Sequence, residues 1–260
     1  MKQISSADNP SVKLVKKLVR KKYRDEAGLF LVEGLRACEL AVASPYQIDS
    51  FWLSESFLRH TQGANPFWDA FPCCCVPDSI FAALSDTQSP QGILCTAKIP
   101  QPKSVFCGSR CLYLDNVRDP GNVGTIVRTA DALGFEGVFL SEGCADLYSP
   151  KTVRSTMGSV FSVETAIGCP YSLLSDLKRN GYQIVASALT NSSVNLYRAQ
   201  WGEKLVFVLG NEANGVSHEI LNLADMTVKI PMYGKAESFN VSIAAALLMG
   251  EAARRVYETE

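Results

Sequence analysis

Short apolar runs alternate along the chain with stretches of helical period, and this alternation predicts its elements. Near the start, Val12, Val15, Val19 and Leu14, Leu18 recur at spacings of three and four, predicting one apolar stripe on a helix. Asn9-Pro10-Ser11 is a start signal with Ser11 as the expected N-cap. Leu29-Phe30-Leu31-Val32 reads as a buried strand, followed by a helix from Leu35 to Ala43. Ile48–Leu53, Cys73–Val76 and Gly92–Ala97 read as further strands, with a short helix from Pro77-Asp78 through Leu84. Strands alternating with helices predict a small α/β sandwich. In Ile99-Pro100-Gln101-Pro102-Lys103 two prolines disfavour helix and central strand, so this is the expected linker. The expected domains are therefore 1–105 and 106–260.

The second part is more regular. Cys111–Leu114, Gly137–Leu140, Val160–Glu164, Gln183–Ala186, Leu205–Leu209 and Thr227–Ile230 read as strands. Helical patterns cover Val123–Leu133, Tyr171–Lys178 and Ser217–Leu223, and a last helix runs from Asn240 to Tyr257. This order predicts a mostly parallel sheet covered on both faces. The longest apolar run, Ile243–Met249, has seven residues, whereas a membrane-spanning helix needs about 20. Met1–Pro10 contains no apolar stretch of the kind a secretory signal requires. The expectation is a cytoplasmic protein outside the membrane.

Composition narrows this further. With 47% hydrophobic and 20% charged residues, the chain is not a disordered one. Nine cysteines, an odd number at scattered spacings, read as free thiols in a reducing compartment. The two histidines, His60 and His218, lie far apart and no C-x-x-C pair occurs, so no metal site is expected. The net charge of −1 conceals an asymmetry. Residues 1–24 hold eight basic side chains, among them Lys13, Lys16, Lys17, Arg20, Lys21 and Arg24, and one acid, Asp8. Of the totals of 25 basic and 26 acidic residues, 17 and 25 are left for the rest of the chain. A basic helix on an otherwise acidic chain points to a polyanion, and Lys13, Lys16, Lys17, Arg20 and Lys21 are the expected RNA contacts.

Ligands of open parallel sheets bind beyond the carboxyl ends of the strands. Three polar, glycine-rich segments follow strands there: Asp115–Ala130, including Asn122-Val123-Gly124 and Arg128; Gly210-Asn211-Glu212-Ala213-Asn214-Gly215; and Ile230-Pro231-Met232-Tyr233-Gly234 continuing to Ser238-Phe239-Asn240-Val241-Ser242. In this order and spacing they closely resemble the three signature motifs of the SpoU/TrmH family of RNA ribose methyltransferases, of the SPOUT superfamily. The resemblance covers Leu112 to Ala253. Asn9-Pro10-Ser11-Val12-Lys13 and Phe30-Leu31-Val32-Glu33-Gly34 are similar to that family's ribosomal-protein-like substrate-binding domain.

The resemblance implies an S-adenosylmethionine donor, a deep trefoil knot at the C-terminus and a homodimer paired through the last helix. It also implies transfer of a methyl group to a ribose 2′-hydroxyl. The matching positions put Leu209, Gly210, Ile230, Met232, Phe239 and Asn240 at the donor. Arg128, Asn122, Glu212, Ser238 and Asn240 then fall at the reaction centre, with Glu212 expected to pair with Arg128. Phe239 stands where leucine is usual in the family. A guanidinium stays protonated at neutral pH, so Arg128 is read as a fixed cation for ribose and phosphate; the family proposal that a phosphate helps it accept the proton is left open. The similarity to large-subunit enzymes, thiostrepton-resistance methyltransferases among them, favours ribosomal over transfer RNA. Two other readings fare less well. A dinucleotide dehydrogenase needs a G-x-G-x-x-G after a strand, and Gly121-Asn122-Val123-Gly124 offers only the bare G-x-x-G of KH modules. A non-catalytic RNA-binding or ribosome-assembly factor is the remaining alternative, and donor binding separates it from an enzyme.

Overall fold

The structure is a computed structural model. It describes residues 1–61, 66–101, 106 and 108–257, the side chains of 256 and 257 excepted. Pro102-Lys103 of the expected linker, and the boundary expected near 105, lie outside the described residues.

The chain forms two compact units. The first is Met1–Gln101 together with Asp146–Phe161, and the second is Pro102–Ala145 together with Ser162–Glu260. Asp146–Phe161, a crossover segment of the later half of the sequence, thus clusters with the first unit.

In the first unit the strands are β1 (Lys2–Gln3), β2 (Leu29–Glu33), β3 (Ile48–Ser54), β4 (Cys73–Val76) and β5 (Ile93–Lys98). They form one mixed sheet in the order β1-β4-β3-β5-β2, parallel from β1 to β3 and antiparallel from β3 to β2. The helices are α1 (Pro10–Lys17), α2 (Lys21–Ala27), α3 (Leu35–Ala43), α4 (Glu55–His60), α5 (Asp78–Leu84) and, from the later segment, α7 (Pro150–Ser155). Val12, Val15 and Leu18 bury their side chains with Trp52, Phe81 and Leu84, whereas Leu14 and Val19 are exposed.

The expected single basic helix is two. Asn9, not Ser11, caps α1, its Oδ1 accepting from the Ser11 amide at 2.9 Å. The chain turns extended at Arg20 before α2 begins. Arg24 explains the break. It is only 2% exposed, and its guanidinium donates to the carbonyls of Leu18 at 2.6 Å and Val19 at 2.8 Å, satisfying the end of the first helical run. The same group pairs with Asp146 at 2.5 Å. Arg24 is thus a buried cross-link rather than a surface cation. Removing one partner of a buried ion pair costs about 3–5 kcal/mol. Arg24→Ala is expected to lose stability of that order in denaturant titration, and a change below about 1 kcal/mol would remove this role.

Residues 160–164 were expected to be strand. Instead Ser159–Phe161 form a 3-10 turn, and the strand is β8 (Glu164–Ala166). The apolar run reports burial: Phe161 meets Phe30 and Tyr46 at ring distances of 6.5 and 5.1 Å. Apolarity without a period cannot separate a packed turn from a strand. The alternating pattern also left β1, α4, α7 and a two-residue strand β10 (Val194–Asn195) unread, all of six residues or fewer.

The second unit holds β6 (Arg110–Leu114), β7 (Gly137–Leu140), β8, β9 (Gln183–Ser187), β10 (Val194–Asn195), β11 (Leu205–Leu209) and β12 (Met226–Lys229). All run parallel in the order β10-β12-β9-β11-β6-β7-β8. The helices are α6 (Pro120–Ala132), α8 (Ser172–Arg179), α9 (His218–Leu223) and α10 (Val241–Tyr257). α10 packs on α6 and β11, burying Ala245, Leu248, Met249 and Ala252. At its far end Glu251, also buried, accepts from Arg254 and Arg255 at 2.9 Å, and Arg255 lies 4.0 Å over the Trp201 ring.

Eight described cysteines are free thiols. Burial pushes the Cys169 thiol up to about 11, and that of Cys111 higher still, so neither supplies a thiolate at neutral pH. Among the described residues no His, Cys, Asp and Glu cluster could hold a metal. Among the described residues no helix is long and apolar enough to cross a membrane.

Candidate active site

The carboxyl ends of β6, β9, β11 and β12 lead into the four segments that matter. After β6, Asp119 caps α6 by accepting from the Asn122 amide at 2.9 Å, and Pro120 occupies the first turn. The buried face of α6, Val123, Ile126, Val127 and Ala130, fixes its rotation. Thr125 and Arg128 are then left exposed, with Asn122 partly so.

After β11 the chain turns at once. Asn211 and Gly215 exchange backbone hydrogen bonds of 3.0 and 2.8 Å, with Gly215 at φ +69°. A Cβ on Gly210 would lie 2.0 Å from the Gly215 carbonyl carbon. Only glycine fits there. The folded-back loop forms one wall of an open cleft of about 700 Å³, wholly within the second unit. Leu209, Ile230, Met232 and Phe239 supply apolar surface, and Glu212 and Ser238 are polar groups at the same cleft. Five of the six expected donor contacts therefore line one cavity. The sixth, Asn240, adjoins it through Phe239 and Val241.

Asn122 joins the three motifs. Its Nδ2 donates to Glu212 Oε1 at 2.8 Å, and its Oδ1 accepts from Asn240 Nδ2 at 3.0 Å. The carboxylate can only accept, so the orientation of the Asn122 amide follows. Asn240 in turn accepts from the Ser242 amide at 2.9 Å and caps α10. It is both a helix cap and a site residue.

One expected contact is not made. Glu212 pairs with Asn122, and among the described residues Arg128 forms no ion pair. Arg128 lies six positions farther along α6, about 9 Å at the helical rise, while Asn122 sits in the first turn beside the loop. The Arg128 guanidinium is thus open to an incoming anion.

On the first unit, Lys13 pairs with Asp8 and Lys21 with Asp25, both at 2.8 Å, and the Lys17 ammonium lies 5.1 Å from the Tyr23 ring. Lys16 and Arg20 are exposed and unpaired among the described residues. Such exposed pairs contribute about 0–1 kcal/mol, so a phosphate can displace either acid.

Sequence reasoning missed Ala188, Leu189 and Thr190, which follow β9 and line the cleft. The strand-end rule that located the other segments, applied to β9, points to them. It also gave no role to Asp115, although the first polar segment begins there, or to Tyr171, whose signal lies only in its contacts.

The family profile described as the SpoU rRNA Methylase family matches residues 109–250. The chain belongs to the SpoU rRNA methylase family. It is an RNA methyltransferase with S-adenosylmethionine as donor. The MRM3-like substrate binding domain profile matches residues 9–95. The 23S rRNA (guanosine(2553)-2′-O)-methyltransferase RlmP of Bacillus subtilis is 35% identical over 249 residues, 96% of this chain and 98% of that one. The tRNA (guanosine(18)-2′-O)-methyltransferase of Aquifex aeolicus is 36% identical, over 55% of this chain and 68% of its own. Among solved structures, the AdoMet-bound rRNA methyltransferase of Sinorhizobium meliloti superposes with a TM-score of 0.87 at 31% identity, covering 98% of each chain.

Proposed function

We propose that this family member transfers the methyl group of S-adenosylmethionine to a ribose 2′-hydroxyl of large-subunit ribosomal RNA. The observation that carries the reading is the convergence of the loops after β9, β11 and β12 on one cleft, the last two tied to each other through Asn122 of α6. Bound donor supplies an electrophilic methyl on a sulfonium. The cleft fits it: its volume lies within the roughly 300–1,000 Å³ of small-molecule sites, with apolar walls and a few polar groups. The Gly210 turn lets backbone approach closely. Glu212, Asn122 and Asn240 hold the loops in register, which keeps the methyl aligned with the attacking oxygen. Arg128 orients ribose and the adjoining phosphate, and Ser238 offers a hydroxyl to the same region.

The choice of ribosomal RNA rests on coverage. The relative named for 23S rRNA matches nearly the whole chain, the first unit included, while the relative named for tRNA matches about half. The first unit, with Lys13, Lys16, Lys17, Arg20 and Lys21, is assigned to RNA binding. Affinity is expected to fall steeply with salt, and neutralising Lys16, Lys17, Arg20 and Lys21 to reduce the slope by up to roughly 0.7–0.9 per lost phosphate contact. An unaltered slope in a filter-binding titration would mean a solvated helix only.

Three further parts of the reading go with it. The C-terminal segment is threaded as a trefoil knot, supported by the family resemblance and the non-sequential strand order. The protein pairs as a homodimer through α10, supported by Ile243, half-exposed beyond the face that α10 buries. It works in the cytoplasm, where ribosomal RNA is modified in bacteria. Calorimetry is expected to show saturable binding of S-adenosylmethionine to the full-length protein, and a Gly210→Val variant that binds it normally would contradict the placing of the donor in this cleft.

A further inference from the structure

We infer that Asp115 is a positioning residue that holds the loop after β11 in its donor-binding shape. The inference rests on the assignment of the donor to this cleft. Asp115 does not line the cleft, and it is 2% exposed. Its contacts grip both ends of the loop. Its amide donates to the carbonyl of Leu209, where the loop begins, at 2.8 Å. Its Oδ2 accepts from the amide of Ser217, where the loop ends, also at 2.8 Å. Its Oδ1 accepts from the Tyr171 hydroxyl at 3.0 Å. The next residue adds a third tether. Asn116, in the left-handed region at φ 60°, accepts through its carbonyl from Asn211 Nδ2 at 2.8 Å.

A buried carboxylate is expensive unless its oxygens are satisfied. Among the described residues no cation pairs with Asp115, so hydrogen bonds alone satisfy it. An apolar residue would close the end of β6 at lower cost. What the carboxylate adds is two acceptors at fixed positions, one for a loop amide and one for a phenol on a different crossover. With the Asp115 backbone amide on Leu209, the bond to Ser217 sets the separation of the two loop ends and so the shape of the turn between them, and the phenol fixes the carboxylate that makes it. Gly210 tolerates no slack, since its neighbour Gly215 already occupies the space of a Cβ.

The test uses the full-length protein and S-adenosylmethionine as probe. Asp115→Ala is expected to weaken donor binding by roughly ten- to hundred-fold, the range for a lost buried charged hydrogen bond. The KM for RNA should stay within twofold, so the effect falls on one substrate. Asp115→Asn keeps the size and an acceptor for Ser217, and the Tyr171 hydroxyl can turn to accept from its amide. It should restore donor affinity to within a few-fold. Tyr171→Phe, which removes only the phenol, guards against an Asp115→Ala that does not fold, and should raise the donor KM several-fold at constant RNA KM. Unchanged donor affinity in Asp115→Ala or Tyr171→Phe overturns the inference. So does an Asp115→Asn as weak as the alanine variant, or equal losses toward donor and RNA. Gly210→Val is the control for the site itself. If it binds donor normally, the cleft assignment has failed; if it does not while Asp115→Ala and Tyr171→Phe do, only the clamp has.

Discussion

Arg128→Ala is expected to lower methyl transfer at saturating RNA by at least roughly 10²–10³-fold, the cost of removing one preorganised electrostatic group from a reaction centre. Donor affinity should remain within a few-fold, because Arg128 stands on α6 and does not line the cleft proposed for the donor. The structure sharpens the reason. Arg128 is exposed and without an ion-pair partner among the described residues, while the acid expected to hold it is held by Asn122. A cation not neutralised within its own unit is available to RNA. Arg128→Lys separates two roles. Lysine keeps the charge and loses the planar fork. Recovery of much of the rate would mean a diffuse charge suffices. A nearly inactive lysine variant means that ribose and phosphate need the bidentate geometry. Full activity of the alanine variant with saturating RNA is incompatible with the site.

Gly210→Val should abolish donor binding at concentrations that saturate the native protein. Its Cβ would lie 2.0 Å from the backbone carbon of Gly215 and 2.2 Å from the Val216 nitrogen, and backbone cannot swing aside as a side-chain tip can. The loop must move by an ångström or more, and a displacement of about that size costs roughly 100-fold where reacting groups must be aligned. Both ends of the loop are tied to Asp115, so relief by wholesale movement breaks those bonds too. Equilibrium dialysis with labelled donor reads the result directly. Affinity within threefold of the native protein would show that the donor lies elsewhere.

Much of the architecture could be read from the chain because its signals are local. β4 at Cys73–Val76 and β7 at Gly137–Leu140 coincide with their apolar runs, and α3 and the end of α10 with their helical patterns. The pattern failed where burial comes from partners far along the chain. Phe161 is buried inside the first unit against Phe30 and Tyr46, a fact held in those distant residues rather than in any period. Arg24 looked like one more cation in a basic run, and its bonds to the Leu18 and Val19 carbonyls and to Asp146, 122 residues away, make it structural. This alters what truncation can show. A fragment starting near residue 106 would keep Tyr148, Val153 and Phe161 without the surface that buries them, so its weakness could not be ascribed to RNA binding alone.

The site was legible in a different way. Glycines and strand-end polar residues mark it, and the family motifs put Asn122, Glu212 and Asn240 near one another without saying who bonds to whom. That Glu212 takes the amide of Asn122 rather than the guanidinium of Arg128 depends on a distance along α6 and on the first-turn geometry set by Asp119. The contribution of Asp115 and Tyr171 was not readable at all, since a buried carboxylate with hydrogen-bond partners looks in sequence like any loop aspartate.

The central claim is that the methyl group goes to a ribose oxygen of ribosomal RNA. The most direct measurement incubates the purified full-length protein with labelled S-adenosylmethionine and unmodified large-subunit RNA, digests the product to nucleosides, and locates the label. Label is expected in a single 2′-O-methylnucleoside, at one position resistant to alkaline cleavage, and at least roughly 100-fold less of it in an Arg128→Ala reaction. Label on a base, or none on ribosomal RNA while transfer RNA is labelled, would contradict it.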